Sequence, residues 1–579
     1  MRRLAFLSLI LAGLGALGLL AWALRLFWLP FLLQWGMRQL GIGYLRYNAA
    51  RWEELGRIEL ENVEILTAWG RLTAQALTFQ VSPALSVQIS DFRWKALPKS
   101  DPSSGTSPSE GFLVRLPPLP LRRIYRLWRL FSRLEELEAE GAIEEPHSAC
   151  LMLSKQGQRG HFLVESSHGR LQGTFRGNND SLELHVSSAA IVGPNSAFLA
   201  WDTLWLQARW HTAELLTLQA GGHNLRAYYS RLAARPIGYS RAGFFLTLEP
   251  TALSLMPRHM ALDFGLHLRW RTDTPAVYLT LQVPEQPHDS FIRFFPAGFF
   301  TCLSQARFGG TSALTLQAHY DPTRPDTLDL QVDWQPKNFA ILSWQGRHPL
   351  TLRESFLYEP PRSFRQIWLG PENPKYLLLH EITPYALQAV LHSEDGLFFY
   401  HKGFQKERLL QALVENWRCR CFRRGAGTLT MQLVRNLLLS REKTLARKLE
   451  EILLTAIIER FHLLSKERIA ELYFNMVEWG PNIYGLTEAA QFYFNKPPSD
   501  LTMPEAIFLG LILPMPSAYQ NFVDKTTGCA LPSLVGHFRT IAHYLVAQHY
   551  LPRDSVETLT PERVCLTGDA WKAQDTLPK

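Results

Sequence analysis

Glu394 and Asp395 stand side by side in HSEDGLFFYHKGF (392–404), and three aromatics follow them at once. A neighbouring acid and partial desolvation both raise a carboxyl pKa, which would make Glu394 a general base near neutral pH. A solvated acidic turn is the competing reading, and the pair alone favours it. A third acid, Glu451, lies in ARKLEEILLTAIIERF, four residues after Arg447. Leu449, Ile452, Leu453, Ala456 and Ile457 make one apolar face of that helix, with Arg447 and Glu451 opposite, joined by Leu454 and Ile458. A helix apolar nearly all round is buried, so the Arg/Glu pair is either a structural ion pair or a site. Between the acids runs RRGAGTLTMQLVRNLLLS (423–440). Gly425, Ala426 and Gly427 allow close backbone approach, Thr428, Thr430, Gln432 and Asn436 offer hydrogen-bond groups, and Arg435, Arg447 and Lys448 supply charge without a Walker loop. Cations flanked by carboxylates suit an anionic leaving group such as pyrophosphate. A capped helix with a basic face explains the same stretch equally well.

These residues sit in a helical region. From about 376 to 579 helix-period segments dominate, among them YALQAVLHSEDG, ERLLQALVENW, LTMQLVRNLLL and KERIAELYFNMVEW, after a Pro-rich boundary at 358–376. Upstream, 44–345 reads as a β-rich envelope domain, mainly antiparallel, with period-two runs at 44–97 and 145–345 and a Pro/Ser/Gly linker at 98–111. Within it, LRRIYRLWRLFSRL (121–134) reads as a basic amphipathic helix. Arg122, Arg126, Arg129 and Arg133 take one face, and Leu127, Leu130, Phe131 and Leu134 the other. Packing on the neighbouring sheet is favoured over lying on anionic lipid. The chain opens with Arg2 and Arg3 before Leu4–Leu24, an uncharged run long enough to span a ~30 Å hydrocarbon layer. Residues 1–36 are therefore expected to form a transmembrane helix and interfacial segment. A cleaved signal ending near Ala21-Trp22-Ala23 is the alternative. An anchor followed by amphipathic strands resembles, in texture only, the AsmA-like envelope proteins.

The motifs also occur in a telling order. EDGLFFYHKG matches ED-x-x-F-x-x-H-x-G, and GAGTLTMQLVRN resembles GGST-[IL]-TQQ-L-x-KN. RKLEE matches RK-x-x-E, KERIAELYFNMVEWGPNIYGLTEAA carries Asn475, Gly480 and Gly485 of the next motif, and AIFLGLILPMPSAY matches the closing pattern. On these residues the last third of the chain resembles the family 51 glycosyltransferases, the peptidoglycan transglycosylases. The resemblance implies a mostly α, lysozyme-like domain that polymerises lipid II onto a growing glycan strand at a membrane. It implies Glu394 and Glu451 as catalytic residues. Asp395, Phe398, His401, Thr428, Gln432, Arg435, Asn436, Arg447 and Lys448 would bind substrate. No cofactor is firmly implied, although a divalent cation such as Mg²⁺ would suit the leaving pyrophosphate. The implied location is the bacterial inner membrane, single-pass, with the catalytic domain on the periplasmic side. Departures are Gly427 for the family's serine, Met431 for its first glutamine and Arg435 for its lysine. The first two remove polar groups from the expected donor site, and the last keeps charge with altered geometry.

Composition agrees with such a protein. A chain of 579 residues with net charge +8, 46% hydrophobic and 19% charged, is folded and multidomain. The basic balance fits a membrane surface or phosphorylated substrate, with no nucleic acid expected. The six cysteines form no CxxC and no metal set. Cys529 and Cys565 are candidates to pair, and Cys419 and Cys421 read as free thiols. No transpeptidase is expected in the chain, since Ser440–Lys443 falls inside the transferase region and KTTG at 525–528 lacks a domain around it, so a separate transpeptidase is a candidate partner. Two other functions compete: an envelope scaffold or lipid-binding protein with a degenerate transferase, and a lysozyme-type hydrolase.

Overall fold

Period-two alternation becomes strands, and period-3.6 segments become helices, on the two sides of the expected texture change. The computed structural model describes residues 44–54, 57–66, 70–80, 86–96, 121–143, 149–167, 169–187, 189–192, 196–258, 260–271, 276–321, 328–360, 363–419, 425–440 and 442–572. The anchor at 1–36 and the linker at 98–111 lie outside these residues. No helix among the described residues is long and apolar enough to cross a membrane. The chain divides into two compact units. One runs to Ser230 and adds Arg235–Ala297 and Thr311–Lys337, while the other comprises Arg231–Ala234, Gly298–Gly310 and Asn338 onward.

The first unit is β-rich, and among its described residues most strands that are neighbours in sequence pair antiparallel. Ser86–Ala96 and Glu136–Ile143 instead run parallel. Parallel neighbours need a crossover, and the Leu121–Arg133 helix lies in that connection. It packs on the sheet, as favoured above, but the buried stripe is rotated from the one the leucines suggested. Leu121, Tyr125 and Trp128 meet Ala208, Trp210 and Leu216, while Ile124 and Leu130 stay exposed. Two large rings at i and i+3 bury more apolar area than the leucines, and the Trp128 indole N–H also donates to the Asn178 carbonyl at 3.0 Å. Strands of this unit surround a cavity of about 980 Å³, lined in part by Ile89, Met152, Phe162, Leu163, Leu204 and Trp205.

The second unit is helical: Pro384–Asp395, Lys406–Cys419, Leu429–Leu437, Leu445–Arg460, Lys466–Met476, Leu486–Phe494, Met503–Ile512 and Val535–Ala547 are its longer helices. Their starts carry the expected chemistry. Thr428, Thr444 and Ser465 side chains each accept from a backbone N–H of the first turn, and Thr502 forms a capping box with Glu505. Tyr473, Phe474, Trp479, Tyr493, Phe508, Tyr519 and Phe538 are fully buried and fill the centre. Gly510 lets Met503–Ile512 lie close to Pro384–Asp395, because a Cβ there would stand 2.8 Å from Ser393 Oγ and 3.1 Å from the Ala389 carbonyl.

Cys529 and Cys565 are joined, 36 residues apart. Cys419 is disulfide-bonded too, which corrects the expectation of a free thiol there. Cys421 lies outside the described residues. Replacing Cys529 and Cys565 by serine is expected to lower unfolding stability by about 2–4 kcal/mol, because the open chain regains loop entropy. Denaturant melts of parent and double variant, with and without reductant, check this. A reductant effect equal in both would sink it.

Candidate active site

The Pro384–Asp395 helix ends on the two acids, and its last residue holds the site together. Asp395 is fully buried. Its Oδ1 accepts from His401 Nε2 at 2.8 Å and from the Gln405 amide, and its Oδ2 accepts from the Leu429 N–H at 2.9 Å. The Gly403 N–H donates to His401 Nδ1 at 3.0 Å, so the imidazole carries its proton on Nε2, facing Asp395. Burial alone would push the Asp395 pKa up. The bonds from His401, Leu429 and Gln405 outweigh it and hold the carboxyl below its usual range. One side chain thus ties a helix C-terminus to the start of Leu429–Leu437.

Gly403 is required by the same turn. Its φ of +88° suits glycine, and a Cβ would lie 2.9 Å from both Glu459 Cγ and Thr455 Cγ2. Its carbonyl accepts from Thr428 Oγ1 at 2.7 Å. Phe398 is buried, with the Lys466 ammonium 4.4 Å from its ring centroid. Phe399 and Tyr400 are exposed. Only one of the three aromatics after the acids is therefore core. Asp395, Phe398, His401 and Thr428 were expected to bind substrate, but their polar groups and surfaces are taken up within the protein and brace the site.

Glu394 is placed differently. It is half-buried, and its Oε2 accepts from Gln432 Nε2 at 2.7 Å. The Tyr473 hydroxyl lies 3.4 Å from Gln432 Oε1, and Arg408 donates to the Glu394 backbone carbonyl at 2.9 Å. Burial raises the Glu394 pKa. The Gln432 bond and the charges of Arg408 and Arg435 pull the other way, the Asp395 charge adds to the rise, and the net shift is upward. Burial, helped by the Glu394 charge, keeps the Tyr473 hydroxyl protonated well above its ordinary range. Glu394, Gln432 and Arg435 are thus gathered into one group, with Asn436 half-buried beside Arg435.

Glu451 forms a second group on Leu445–Arg460. It is 2% exposed, with Oε2 2.6 Å from Arg447 Nη1 and Oε1 2.6 Å from Lys448 Nζ. The buried face of this helix is the one carrying Glu451, Leu454 and Ile458, whereas Leu449, Ile452, Leu453 and Ala456 are only half-buried. Of the apolar face read from sequence only Ile457 is buried, and the two cations paired with Glu451 explain how that acid enters the interior. The donors around Glu451 are cations rather than further carboxylates. Among the described residues no three His, Cys, Asp or Glu side chains are gathered as for a metal ion. A divalent ion at Glu451 would have to share its carboxylate with Arg447 and Lys448.

The departures from the family pattern fall in distinct places. Met431 is 2% exposed, so its thioether lies in the core and takes no polar group from an open donor site, contrary to expectation. Gly427 has open space around its missing Cβ. Gln432, the glutamine that survives, is the one that reaches Glu394. Sequence reading missed Arg408 and Gln405, which follow the turn after His401, and Tyr473 and Glu450. The only signal for Glu450 was a second acid on a helix already judged buried.

The family match falls within this unit. Residues 362–530 match the Transglycosylase family. The biosynthetic peptidoglycan transglycosylase of Nitrosomonas eutropha is 35% identical over 187 residues, which are 31% of this chain and 73% of the relative. That of Paraburkholderia xenovorans is 36% identical over 185 residues, 31% of this chain and 74% of the relative. That of Ralstonia nicotianae is 36% identical over 197 residues, 33% of this chain and 79% of the relative. With a paired-acid helix end, a glutamine on the first acid and a doubly paired second acid in the matched stretch, the chain belongs to the peptidoglycan transglycosylase family and is a glycosyltransferase enzyme.

Proposed function

We propose that the protein is a membrane-anchored polymerase of lipid II, with Glu394 as its general base. The observation that carries this reading is the half-buried Glu394 carboxyl, raised in pKa and held by Gln432. Glu394 takes the proton from the acceptor sugar's 4-hydroxyl. The freed oxygen forms a bond to the anomeric carbon of the growing strand as the bond from that carbon to the pyrophosphate oxygen breaks. Inversion gives a β-1,4 linkage, and undecaprenyl pyrophosphate leaves with both electrons of the broken bond. Arg435, Arg447 and Lys448 meet the charge that builds on it. Glu451, with both oxygens engaged, orients two of these cations. Exposed Leu397, Phe399 and Tyr400 next to the acids, and exposed Leu445 at the start of the Glu451 helix, support a lipid-linked substrate. The Cys529–Cys565 disulfide supports an extracytoplasmic site of action. The product carries no cross-links, so a separate transpeptidase is the class of enzyme that consumes it.

Polymerisation of labelled lipid II by the detergent-solubilised full chain tests this reading, with products sized on a gel and Mg²⁺ titrated in parallel. A ladder is expected, with a rate that rises with pH along a limb above the ordinary carboxylate range of about 4.3, because the base works ionised and its pKa is raised. Gln432→Leu removes a bond to the ionised form and should move that limb further up. No ladder from folded protein would turn attention to the cavity of the β-rich unit and a scaffold or lipid-binding role.

A further inference from the structure

The helix that carries Arg447, Lys448 and Glu451 is held by residues far upstream of the matched stretch. Arg231–Ala234 and Gly298–Gly310 belong to the helical unit although the family match begins at residue 362. Helix N-termini leave four N–H groups without intrahelical partners. Here Leu445 N–H donates to the Arg231 carbonyl at 3.0 Å and Ala446 N–H to the Leu232 carbonyl at 2.9 Å. Arg447 N–H is taken by the Thr444 hydroxyl at 3.2 Å. One turn further on, Glu450 is 1% exposed. Its carboxylate accepts from three successive backbone N–H groups, those of Thr301, Cys302 and Leu303, at 3.0, 2.7 and 2.8 Å, and from Thr301 Oγ1 at 2.9 Å. The receiving turn is itself fixed: Leu303 is fully buried, and the Trp344 indole N–H donates to the Cys302 carbonyl at 3.2 Å. Burial and the Glu450 charge push the Cys302 thiol up to about 12, which leaves it an inert neighbour.

Glu450 and Glu451 are adjacent, so their side chains leave the helix about 100° apart. One acid is locked to the 301–303 turn and the other faces the cations. Fixing the first therefore fixes the rotation and height at which the second presents Arg447 and Lys448. We infer that Glu450 is a positioning residue for the transferase reaction, and that the 298–310 segment, drawn from within the β-rich stretch, is a working part of the enzyme. The inference rests on the role proposed above for Arg447, Lys448 and Glu451. A merely structural tether would alter stability and leave turnover of the folded enzyme alone.

The test is steady-state polymerisation of lipid II by the full chain, parent beside Glu450→Gln, Thr301→Val, Thr301→Ser and Glu451→Gln, each checked for folding by thermal melt. Glutamine keeps the shape of Glu450 but turns an NH₂ toward N–H donors. The expected result is a kcat lower by about ten- to a hundredfold, a KM within about threefold of parent and an unmoved pH limb, since Glu394 is untouched. Thr301→Val should lose about two- to fivefold in kcat for one hydrogen bond, with Thr301→Ser restored to parent. A folded Glu450→Gln enzyme with parental kcat overturns the inference. If that variant does not fold, the threonine pair decides, and parental kcat in Thr301→Val overturns it. Parental turnover in Glu451→Gln would remove the role given to that acid, while Glu450→Gln would still decide the positioning by itself.

Discussion

Glu394→Gln should reduce glycan polymerisation by about 10²–10⁴-fold, the usual contribution of a positioned general base. The substitution keeps size and hydrogen-bond reach, so Gln432 retains a partner and the protein should fold. It should melt at or above the parental temperature near pH 7. Folding raises the pKa of this carboxyl, so above that pKa its charge costs the folded state stability, and glutamine removes the cost. Rate and stability are thus expected to move in opposite directions. Ladders from parent and variant on one gel, with melts of the same preparations, check both. An undiminished ladder from Glu394→Gln would assign the proton transfer to another group.

Asp395→Ala should have the largest effect on folding, about 3–5 kcal/mol of destabilisation. It strands the His401 Nε2–H, the Gln405 amide and the Leu429 N–H in a site with no exposure. Because folding lowers the Asp395 pKa, the carboxylate contributes stability at every pH above its unfolded value of about 3.9, and that contribution fades as pH falls through the folded pKa. Urea unfolding midpoints of the parent should therefore fall on acidification below that range, and those of Asp395→Ala should be low throughout with a weaker pH slope. A variant as stable as the parent would show that the three donors find other partners. Activity of Asp395→Ala is expected to fall with folding, whereas Glu394→Gln loses activity while folded. That outcome would give the adjacent acids separable functions, one in chemistry and one in holding the chemistry in place.

The sequence alone carried the division into a β-rich and a helical part, because side-chain periodicity of two or 3.6 is a local property of the chain. It also carried the order of the family motifs. What it did not carry was direction. Which face of Leu445–Arg460 enters the core depended on Arg447 and Lys448 folding back onto Glu451, and a charge that is paired can be buried where an unpaired one cannot. The stripe of Leu121–Arg133 turned toward Tyr125 and Trp128 because the sheet beneath offered Trp210 and Leu216. Asp395 and Glu394 look alike in sequence. Burial pushes both pKa values up; at Glu394 it outweighs the Gln432 bond and the nearby cations, whereas at Asp395 the donors at His401, Leu429 and Gln405, brought up by the turn at Gly403 and by Leu429–Leu437, outweigh it. Glu450 was the least legible residue of all. Its partners are about 150 positions away, and a hydrogen bond to backbone N–H groups leaves no side-chain pattern to read. Local periodicity and motif order are written along the chain, whereas burial, pairing and pKa are settled only when distant segments meet.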